Sequence, residues 1–380
     1  MLKEILYPGL QKTIKLPYII IYDFFKKVFD LDTEKIVLAS NTRKELSGNL
    51  LYIYNYLFEH NYEKNIKIII KKKENILYNI FFQLKCAKEM SNARFIIIDD
   101  YFPLVYTFKI RKNAKLIQVW HACGAFKKVG YSRNVNGFSK YSLTHKNYTD
   151  AIVSSEDIRK DYAEAFGIDI QKVSNTGVPR TDMFFDEKIK NKKREELLKT
   201  LRIAKEKRII LFAPTFRGNN VKNAYYPENY INIEEIYNNL SENDIFIIKM
   251  HPFTKNKIKI DSEFKDKIIN VTDDYREVND LLLITDLLIT DYSSLIFEYS
   301  FFNKPIILYT PDYIEYKEKR DFYYDFSEYI YGKQVIDFQE LLQNLNYNKI
   351  ELEKMEKFRE KFLNGCDGNS TEKFLKKLIN

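Results

Sequence analysis

The hydrophobic positions of this chain fall into short apolar runs separated by longer amphipathic stretches. In the first half, the apolar runs predict buried strands at 35–40, 67–70, 95–98, 116–120 and 151–154. The stretches at 47–60, 74–90 and 156–166 have the spacing of helices. Because strands that alternate with helices form a parallel sheet covered on both faces, this pattern predicts a doubly wound α/β domain.

A second series of the same kind begins at residue 208, after a lysine-rich helix predicted at about 186–201. Its strands are predicted at 208–213, 245–249, 268–271, 287–290 and 306–309. The tail, 338–379, is predicted to be helical throughout. We therefore expect two doubly wound, Rossmann-like α/β domains, 34–200 and 201–380, facing a central cleft where two substrates could meet. This is the architecture called GT-B.

Residues 1–33 form a separate N-terminal segment, and its predicted helix, 18–31, is amphipathic. One face is apolar and comprises Ile20, Ile21, Phe24, Phe25, Val28 and Leu31. The other face carries Asp23, Lys26, Lys27 and Asp30. Two interpretations stay open. The helix packs on its own domain, or it lies in a membrane interface, where aromatic residues and lysines are favourable.

Composition excludes several classes of protein. With 380 residues, 45% of them hydrophobic, the chain can bury large cores and is not globally disordered. The net charge of +8 could attract an anionic membrane or a polyanionic substrate, and no nucleic-acid-binding motif is present. Three widely spaced cysteines fit a reducing compartment and argue against a disulfide scaffold. No secretory signal or spanning apolar run is recognisable.

Two histidines follow predicted strands directly. The strand at 116–120 runs into His121, and the strand at 245–249 runs into His251 before a proline. Ligands of open α/β sheets bind beyond the carboxyl ends of the strands, so both side chains are placed to meet a substrate. An imidazole has an unperturbed pKa of about 6.5, which makes either histidine usable as a base near neutrality, although both could be structural.

A third strand end indicates a site for phosphate. The strand at 287–290 is followed by Asp291, Ser293 and Ser294, and then by a predicted amphipathic helix that carries Glu298. Unpaired N–H groups at a helix start attract anions. The two serines could equally serve as helix caps. Glu298 could accept hydrogen bonds from two ribose hydroxyls.

Other polar groups complete the candidate set. Thr215 and Arg217 follow the first strand of the second domain and suit phosphate oxygens. Gly124, Lys127 and Lys128 follow His121 and are a weaker candidate for contacts with acceptor or phosphate. No group of carboxylates with a third ligand indicates a metal site, so we expect no cofactor and no obligatory metal.

At these residues the chain resembles the CDP-glycerol glycerophosphotransferases of wall teichoic acid synthesis in Gram-positive bacteria. The matching segments are Gln118-Val-Trp-His121, Ala213-Pro-Thr-Phe-Arg217, Lys249-Met-His251-Pro252, Thr290-Asp-Tyr-Ser-Ser294 and Asp367-Gly-Asn-Ser-Thr371. The likeness covers about residues 90 to 375. The run from Trp120 to Lys128 resembles the primase branch, which adds the first glycerol phosphate, more than the polymerases.

The resemblance implies a substrate pair and a mechanism. The donor would be CDP-glycerol, and the acceptor an N-acetylmannosaminyl-N-acetylglucosamine disaccharide on undecaprenyl diphosphate. The enzyme would act as a peripheral protein at the cytoplasmic face of the membrane. His121 would take the proton of the attacking hydroxyl, and CMP would leave. The remaining candidates, His251, Thr215, Arg217, Asp291, Ser293, Ser294 and Glu298, would hold the donor.

Three alternatives remain. A nucleotide-sugar glycosyltransferase of the same fold, such as a polysialyltransferase-like enzyme, also carries a His-Pro and a Ser-Ser motif. A glycerophosphate polymerase would use an already primed acceptor. A basic scaffold protein at the membrane surface would bind no nucleotide at all.

Overall fold

The computed structural model describes residues 16–62, 65–72, 75–133, 142–218, 221–275, 277–319 and 321–379. The first fifteen residues of the predicted N-terminal segment therefore lie outside the described residues. Within the described ranges, the strands form two six-stranded sheets, and all strand pairs within them are parallel. The prediction of two α/β regions, each built on a parallel sheet, is thereby confirmed.

The first sheet has the strand order β2-β1-β3-β4-β5-β6. Its strands are β1 (Asp32–Ser40), β2 (Ile66–Ile70), β3 (Ala93–Ile98), β4 (Lys115–Gln118), β5 (Asp150–Val153) and β6 (Val173–Asn175). The helices of this part are α1 (Leu16–Val28), α2 (Gly48–Glu59), α3 (Ile76–Ser91) and α4 (Arg159–Phe166). Apolar residues of β1, β3 and β4 pack against α2 in one core.

The second sheet has the order β12-β11-β10-β7-β8-β9. Its strands are β7 (Arg208–Phe212), β8 (Asp244–Ile248), β9 (Ile268–Asn270), β10 (Leu287–Thr290), β11 (Ile306–Tyr309) and β12 (Lys333–Val335). Read from the other edge, the order is that of the Rossmann fold.

The helices from residue 187 onward connect these strands and form the tail. They are α5 (Glu187–Leu201), α6 (Ile233–Asn239), α7 (Val278–Leu281), α8 (Leu295–Tyr299), α9 (Tyr313–Lys319), α10 (Phe326–Tyr329), α11 (Phe338–Gln343), α12 (Leu352–Leu363) and α13 (Ser370–Ile379). The tail is thus three helices and not one, since residues 344–351 and 364–369 interrupt it. The two strands that sequence reasoning missed, β6 and β12, have three residues each.

The chain divides into two compact units that differ from the predicted boundaries. Unit 1 comprises residues 1–182 and 361–380, and unit 2 comprises residues 183–360. The end of the chain belongs to unit 1 because α13 buries Phe374, Leu375 and Leu378 in the core of the first sheet. The N-terminus of α13 is fixed by Asp182, whose carboxylate accepts hydrogen bonds from the N–H groups of Ser370 and Thr371.

Helix α1 is integrated into unit 1, but not through the predicted face. It packs against α3, and its buried side chains are Tyr18 and Tyr22, both of which contact Phe108. Ile20, Phe24 and Val28 are exposed, whereas Ile21 and Phe25 are half-buried. The predicted single apolar face is therefore divided between the protein and the solvent.

Candidate active site

Both sheets gather polar residues at the point where the direction of strand succession reverses. In the first sheet this point lies between β1 and β3, and in the second between β7 and β10. Ligands of open α/β sheets bind at such switch points, beyond the carboxyl ends of the strands. Each unit therefore has one candidate site.

The turn that carries His121 is held by polar groups from three directions. The N–H of Trp120 donates to Oε1 of Gln118, and Nδ2 of Asn49 donates to the carbonyl of Trp120. Nη1 of Arg180 donates to the carbonyl of His121 across 2.7 Å. Trp120 adopts a left-handed φ of 51°, which a bulky residue rarely does. These bonds fix a strained backbone and with it the position of the His121 side chain.

The imidazole of His121 lies beside a carboxylate at the end of β3. Its Nδ1 is 3.3 Å from Oδ1 of Asp100, and 42% of the side chain is exposed. Asp100 also accepts hydrogen bonds from the hydroxyl of Thr42 and from the N–H of Tyr101. The ring packs on the indole of Trp120, with the ring centres 4.4 Å apart. The histidine is thus oriented from one side and open on the other.

The neighbouring Asp99 has a different environment. Its carboxylate is buried and forms an ion pair with Arg43, which also bonds the hydroxyl of Ser47. Burial raises the pKa of Asp99, and the Arg43 guanidinium opposes that rise. Each carboxylate of the doublet Asp99-Asp100 therefore has its own partner, the guanidinium of Arg43 or the imidazole of His121.

The three predicted acceptor or phosphate contacts after His121 are not equivalent. Gly124 has both backbone groups bonded inside unit 1, because its N–H donates to the hydroxyl of Ser154 and its carbonyl accepts from Tyr162. Its φ of 63° explains why glycine stands there. Lys127 and Lys128 are half-buried. Gly124 therefore has a structural role, and its predicted contact with acceptor or phosphate stays a prediction.

In the second sheet, the ends of β7 and β10 are joined directly. Oδ1 of Asp291 accepts hydrogen bonds from the N–H groups of Thr215 and Tyr292. Thr215 is buried, and its hydroxyl has no hydrogen-bond partner among the described residues. An unsatisfied buried hydroxyl at a switch point is the expected sign of a group that bonds a ligand.

Arg217 is engaged within the protein. Its Nη1 donates to Oδ2 of Asp291, and its Nη2 donates to Oδ1 of Asp312, both across 2.9 Å. Its guanidinium also faces the rings of Tyr292 and Tyr316. Burial alone would lower the pKa of Arg217, but the two carboxylates together raise it. Arg217 and Asp291 therefore organise the site, and their predicted direct contact with the donor stays a prediction.

His251 follows β8 and lies between aromatic rings. The N–H of Phe253 donates to its Nδ1 across 3.2 Å, and the imidazole contacts the rings of Phe216 and Phe253. A ring nitrogen that accepts a hydrogen bond carries no proton. The neutral imidazole therefore carries its proton on Nε2 and can donate it to a phosphate oxygen.

The predicted phosphate-binding helix is shorter than its sequence suggested. Helix α8 has five residues, all of them buried, so it is not amphipathic. Ser293 accepts a hydrogen bond from the N–H of Leu295, whereas the side chain of Ser294 makes no capping bond. Both serines are half-buried. Glu298 is only 1% exposed, and its predicted contact with a ribose stays a prediction.

The described ranges contain no group of three or more His, Cys, Asp or Glu side chains placed to hold a metal ion. The absence of an obligatory metal stays a prediction. None of the helices in the described part of the chain combines the length and apolar character that crossing a bilayer requires.

Sequence reasoning missed the residues that support the site. Asp100, Asp312, Asn49 and Arg180 each bond a predicted residue or its turn. A signal existed for the first two, because Asp100 follows β3 and Asp312 follows β11 closely, and parallel strands end at the same edge. Asn49 and Arg180 are distant along the chain and gave no such signal.

Comparison with known proteins decides the family. Residues 20–380 match the family described as CDP-Glycerol:Poly(glycerophosphate) glycerophosphotransferase. The chain belongs to this family. The match covers both switch-point sites and all the segments that suggested the resemblance, including the tail motif whose Ser370 and Thr371 bond Asp182.

Relatives within the family carry different names. The chain is 40% identical, over 94% of its length, to the teichoic acid poly(ribitol-phosphate) polymerase of Bacillus spizizenii, and covers 58% of that protein. It is 33% identical, over 82% of its length, to the teichoic acid glycerol-phosphate primase of Bacillus subtilis, and covers 79% of that protein. The chain thus spans somewhat more than half of the polymerase.

A solved structure of the wall teichoic acid polymerase TagF has the same fold. It superposes with a TM-score of 0.77 at 20% identity, covering 100% of this chain and 97% of that one. This likeness confirms the arrangement of each α/β unit as Rossmann-like.

Proposed function

We propose that the protein transfers a polyol phosphate from a CDP-activated donor to a hydroxyl group of a teichoic acid precursor, with release of CMP. The observation that carries the proposal is a half-exposed histidine, His121, at the carboxyl end of β4 in a chain of the glycerophosphotransferase family. GT-B enzymes divide donor and acceptor between two such domains. We assign the acceptor to unit 1 and the donor to unit 2.

The transfer step uses His121 as general base. The acceptor hydroxyl gives its proton to the imidazole while its oxygen attacks the phosphorus next to the polyol. The bond from this phosphorus to the oxygen of CMP breaks, and CMP leaves with the electron pair. Phosphoryl transfer of this kind depends on positioning and on stabilisation of charge.

Unit 2 supplies groups that suit a diphosphate. The Nε2–H of His251 and the unpartnered hydroxyl of Thr215 are donors, and Ser293 and Ser294 add two half-buried hydroxyls. Arg217 holds the carboxylates of Asp291 and Asp312 in place. A role for Glu298 at the ribose requires the side chain to become accessible when the nucleotide binds.

The identity of donor and acceptor divides the proposal into two. The run from Trp120 to Lys128 favours a glycerol-phosphate primase that uses CDP-glycerol and an undecaprenyl-diphosphate-linked disaccharide. The higher identity to the ribitol-phosphate polymerase, 40% against 33%, favours the corresponding CDP-ribitol and an already primed acceptor. Both use the same step and the same side chains.

One assay separates these two and tests the function itself. Purified protein is incubated with CDP-glycerol or CDP-ribitol, each with a lipid-linked disaccharide analogue and with the same analogue already carrying glycerol phosphate. Production of CMP that depends on the acceptor supports the function, and the productive pair names the reaction. Transfer from a nucleotide sugar such as CMP-sialic acid, with no transfer from either CDP-polyol, would favour the glycosyltransferase alternative.

We also propose that unit 1 binds the surface of an anionic membrane through α1 and α3. The two helices pack against each other, and both leave large apolar side chains exposed. These are Leu16, Ile20, Phe24 and Val28 on α1, and Ile76, Leu77, Ile80, Phe81 and Leu84 on α3. We name them the α1–α3 apolar surface. Exposed apolar residues in this number indicate an interaction site.

Charge around the α1–α3 apolar surface favours lipid as its partner. Exposed lysines lie on or next to these helices at Lys27, Lys72, Lys85 and Lys88. Apolar side chains bordered by lysines suit the boundary between acyl chains and anionic headgroups. This placement would keep the protein near an acceptor whose lipid carrier cannot leave the membrane.

A further inference from the structure

The carboxylate of Asp100 lies beside the candidate base, His121. Its Oδ1 is 3.3 Å from Nδ1 of His121, and the backbone carbonyl of Asp100 accepts a hydrogen bond from Nε2 of Gln118. Gln118 in turn holds the N–H of Trp120. The same glutamine therefore ties the backbone of Asp100 and the histidine turn together across β3 and β4.

We infer that Asp100 is a positioning residue that holds the proton of neutral His121 on Nδ1 and so leaves Nε2 as the base. This inference rests on the proposed function for its catalytic consequence. An ionised carboxylate only accepts hydrogen bonds, and it is repelled by the lone pair of an unprotonated ring nitrogen. Asp100 therefore stabilises the tautomer of His121 that carries its proton on Nδ1. When Nε2 takes the proton of the acceptor hydroxyl, the same carboxylate stabilises the imidazolium.

The surroundings keep Asp100 ionised and in place. Burial would raise its pKa, but the His121 ring, the N–H of Tyr101 and the hydroxyl of Thr42 together hold the pKa of Asp100 below its ordinary value. The hydrogen bonds from Thr42 and Tyr101 measure 2.9 and 2.7 Å. These two bonds occupy lone pairs of the Asp100 carboxylate that would otherwise bind water.

Other polar groups near this pair have contacts of their own. Asp99 is paired with Arg43, and Arg180 donates to the backbone carbonyl of His121. His145 is buried among aromatic rings, and burial lowers its pKa to about 3, so it stays neutral at physiological pH. Asp100 is therefore the carboxylate that faces the imidazole of His121 in the described part of unit 1.

The arrangement also distinguishes the two histidines of the proposed reaction. His251 accepts at Nδ1 and carries its proton on Nε2, as a donor to phosphate requires. His121 faces a carboxylate at Nδ1 and presents a bare Nε2, as a base requires. The backbone N–H at one histidine and the carboxylate at the other select opposite tautomers, and hence opposite roles.

The first test measures the tautomer directly and needs no activity. Nitrogen-15 NMR of the imidazole rings, with His121 assigned by comparison with His121→Ala, reports which ring nitrogen carries the proton in neutral His121. We expect the Nδ1–H form in the wild type and a shift towards Nε2–H in Asp100→Leu. An unchanged tautomer in a folded Asp100→Leu protein would overturn the inference. If Asp100→Leu does not fold, Asp100→Asn is measured against the same criterion.

The second test is a double-mutant cycle in the transfer assay. Asp100→Asn should lower kcat at least about 10-fold with little change in the KM for the donor, because the base is misoriented while the donor site is untouched. Asp100→Glu should recover part of the loss, and Asp169→Asn, a control carboxylate on the surface of unit 1, should have no effect. In His121→Ala, adding Asp100→Asn should cost no further activity.

The outcomes separate this inference from the proposed function. Losses that multiply in the double mutant would show that Asp100 acts independently of His121, which would overturn the inference. If the wild type transfers neither polyol phosphate, the proposed function fails, and the tautomer measurement alone still decides whether Asp100 orients His121.

Discussion

The backbone N–H of Phe253 donates a hydrogen bond to Nδ1 of His251 across 3.2 Å. The proline between them forces the turn that makes this bond possible, because its ring fixes the backbone φ angle. The bond places the proton of the neutral imidazole on Nε2 and makes His251 a hydrogen-bond donor. In the proposed reaction its partner is the donor diphosphate.

His251→Ala should therefore weaken donor binding as well as turnover. The diphosphate oxygens are present in the ground state and the transition state alike, so the bond contributes to both. A hydrogen bond to a charged group is worth roughly 1.5–3 kcal/mol, or about 10- to 100-fold in affinity. Calorimetry with the CDP-polyol measures it. His60→Ala, at the exposed end of α2, is the matched control. Unchanged donor affinity in His251→Ala would contradict the assignment.

Replacing Arg217 should primarily reduce the stability of unit 2, and any effect on donor binding should be secondary. Arg217→Met leaves the buried carboxylates of Asp291 and Asp312 without their partner, which costs about 3–5 kcal/mol of unfolding free energy. Lys257→Met removes a partner of Asp273 in an ion pair exposed to solvent and should cost about 1 kcal/mol or less. Denaturant unfolding compares the two. A stable Arg217→Met protein that has lost only donor binding would instead make Arg217 a direct ligand.

Thr215→Val should have the opposite effect, a loss of donor affinity with little change in stability. The hydroxyl of Thr215 makes no hydrogen bond in the described structure, so its removal should leave stability within about 0.5 kcal/mol. Donor affinity should fall about 10-fold if the hydroxyl bonds the diphosphate. Thr290→Val provides the contrast, since the hydroxyl of Thr290 bonds the carbonyl of Ala213 and its loss should reduce stability. Donor affinity that is unaffected by Thr215→Val would remove this residue from the site.

The α1–α3 apolar surface should mediate binding to anionic vesicles. Leu77 and Phe81 are 71% and 68% exposed, so replacing both by Glu should not disturb the fold. The double variant should be released from vesicles that contain phosphatidylglycerol, as measured by co-sedimentation, and should lose turnover on a lipid-linked acceptor far more than on a soluble one. The matched control replaces Ile314 and Ile336, which are 76% and 62% exposed, by Glu.

Three results would speak against the membrane surface. If the control variant were released from the vesicles to the same extent, the added negative charge alone would explain the loss of binding. Retention of the Leu77 and Phe81 double variant on vesicles would place the contact elsewhere. A dimer in the wild type that the double variant dissolves, measured by light scattering, would make the surface an interface between two copies of this chain.

The alternation of apolar strands and amphipathic helices was sufficient to predict both sheets. Parallel strands that are buried on both faces appear in the sequence as continuous apolar runs, which are easy to recognise. It did not reveal β12, whose sequence Lys333-Gln-Val335 is mostly polar. It also could not show that Phe374 belongs to the core of the first sheet, since a helical period does not identify the partner of a helix.

The candidate site was predicted where it depended on strand ends, and less well where it depended on neighbours. His121 and His251 follow strands and are placed as expected. Arg217 was predicted to meet phosphate because a guanidinium suits it, and local sequence gave no sign that Asp312, 95 positions later, also binds that group. Local sequence shows which chemistry a residue can perform. It does not show which other side chains that residue binds in the folded protein.

The central claim is that His121 is the general base for transfer from the CDP-polyol. Single-turnover transfer by His121→Ala, with saturating CDP-glycerol or CDP-ribitol and the acceptor found productive for the wild type, tests it most directly. We expect a fall in rate of roughly 100- to 10,000-fold, while calorimetry shows unchanged donor affinity. A variant that keeps more than about a tenth of the wild-type rate, or one that loses donor affinity in proportion to its rate, would contradict the claim.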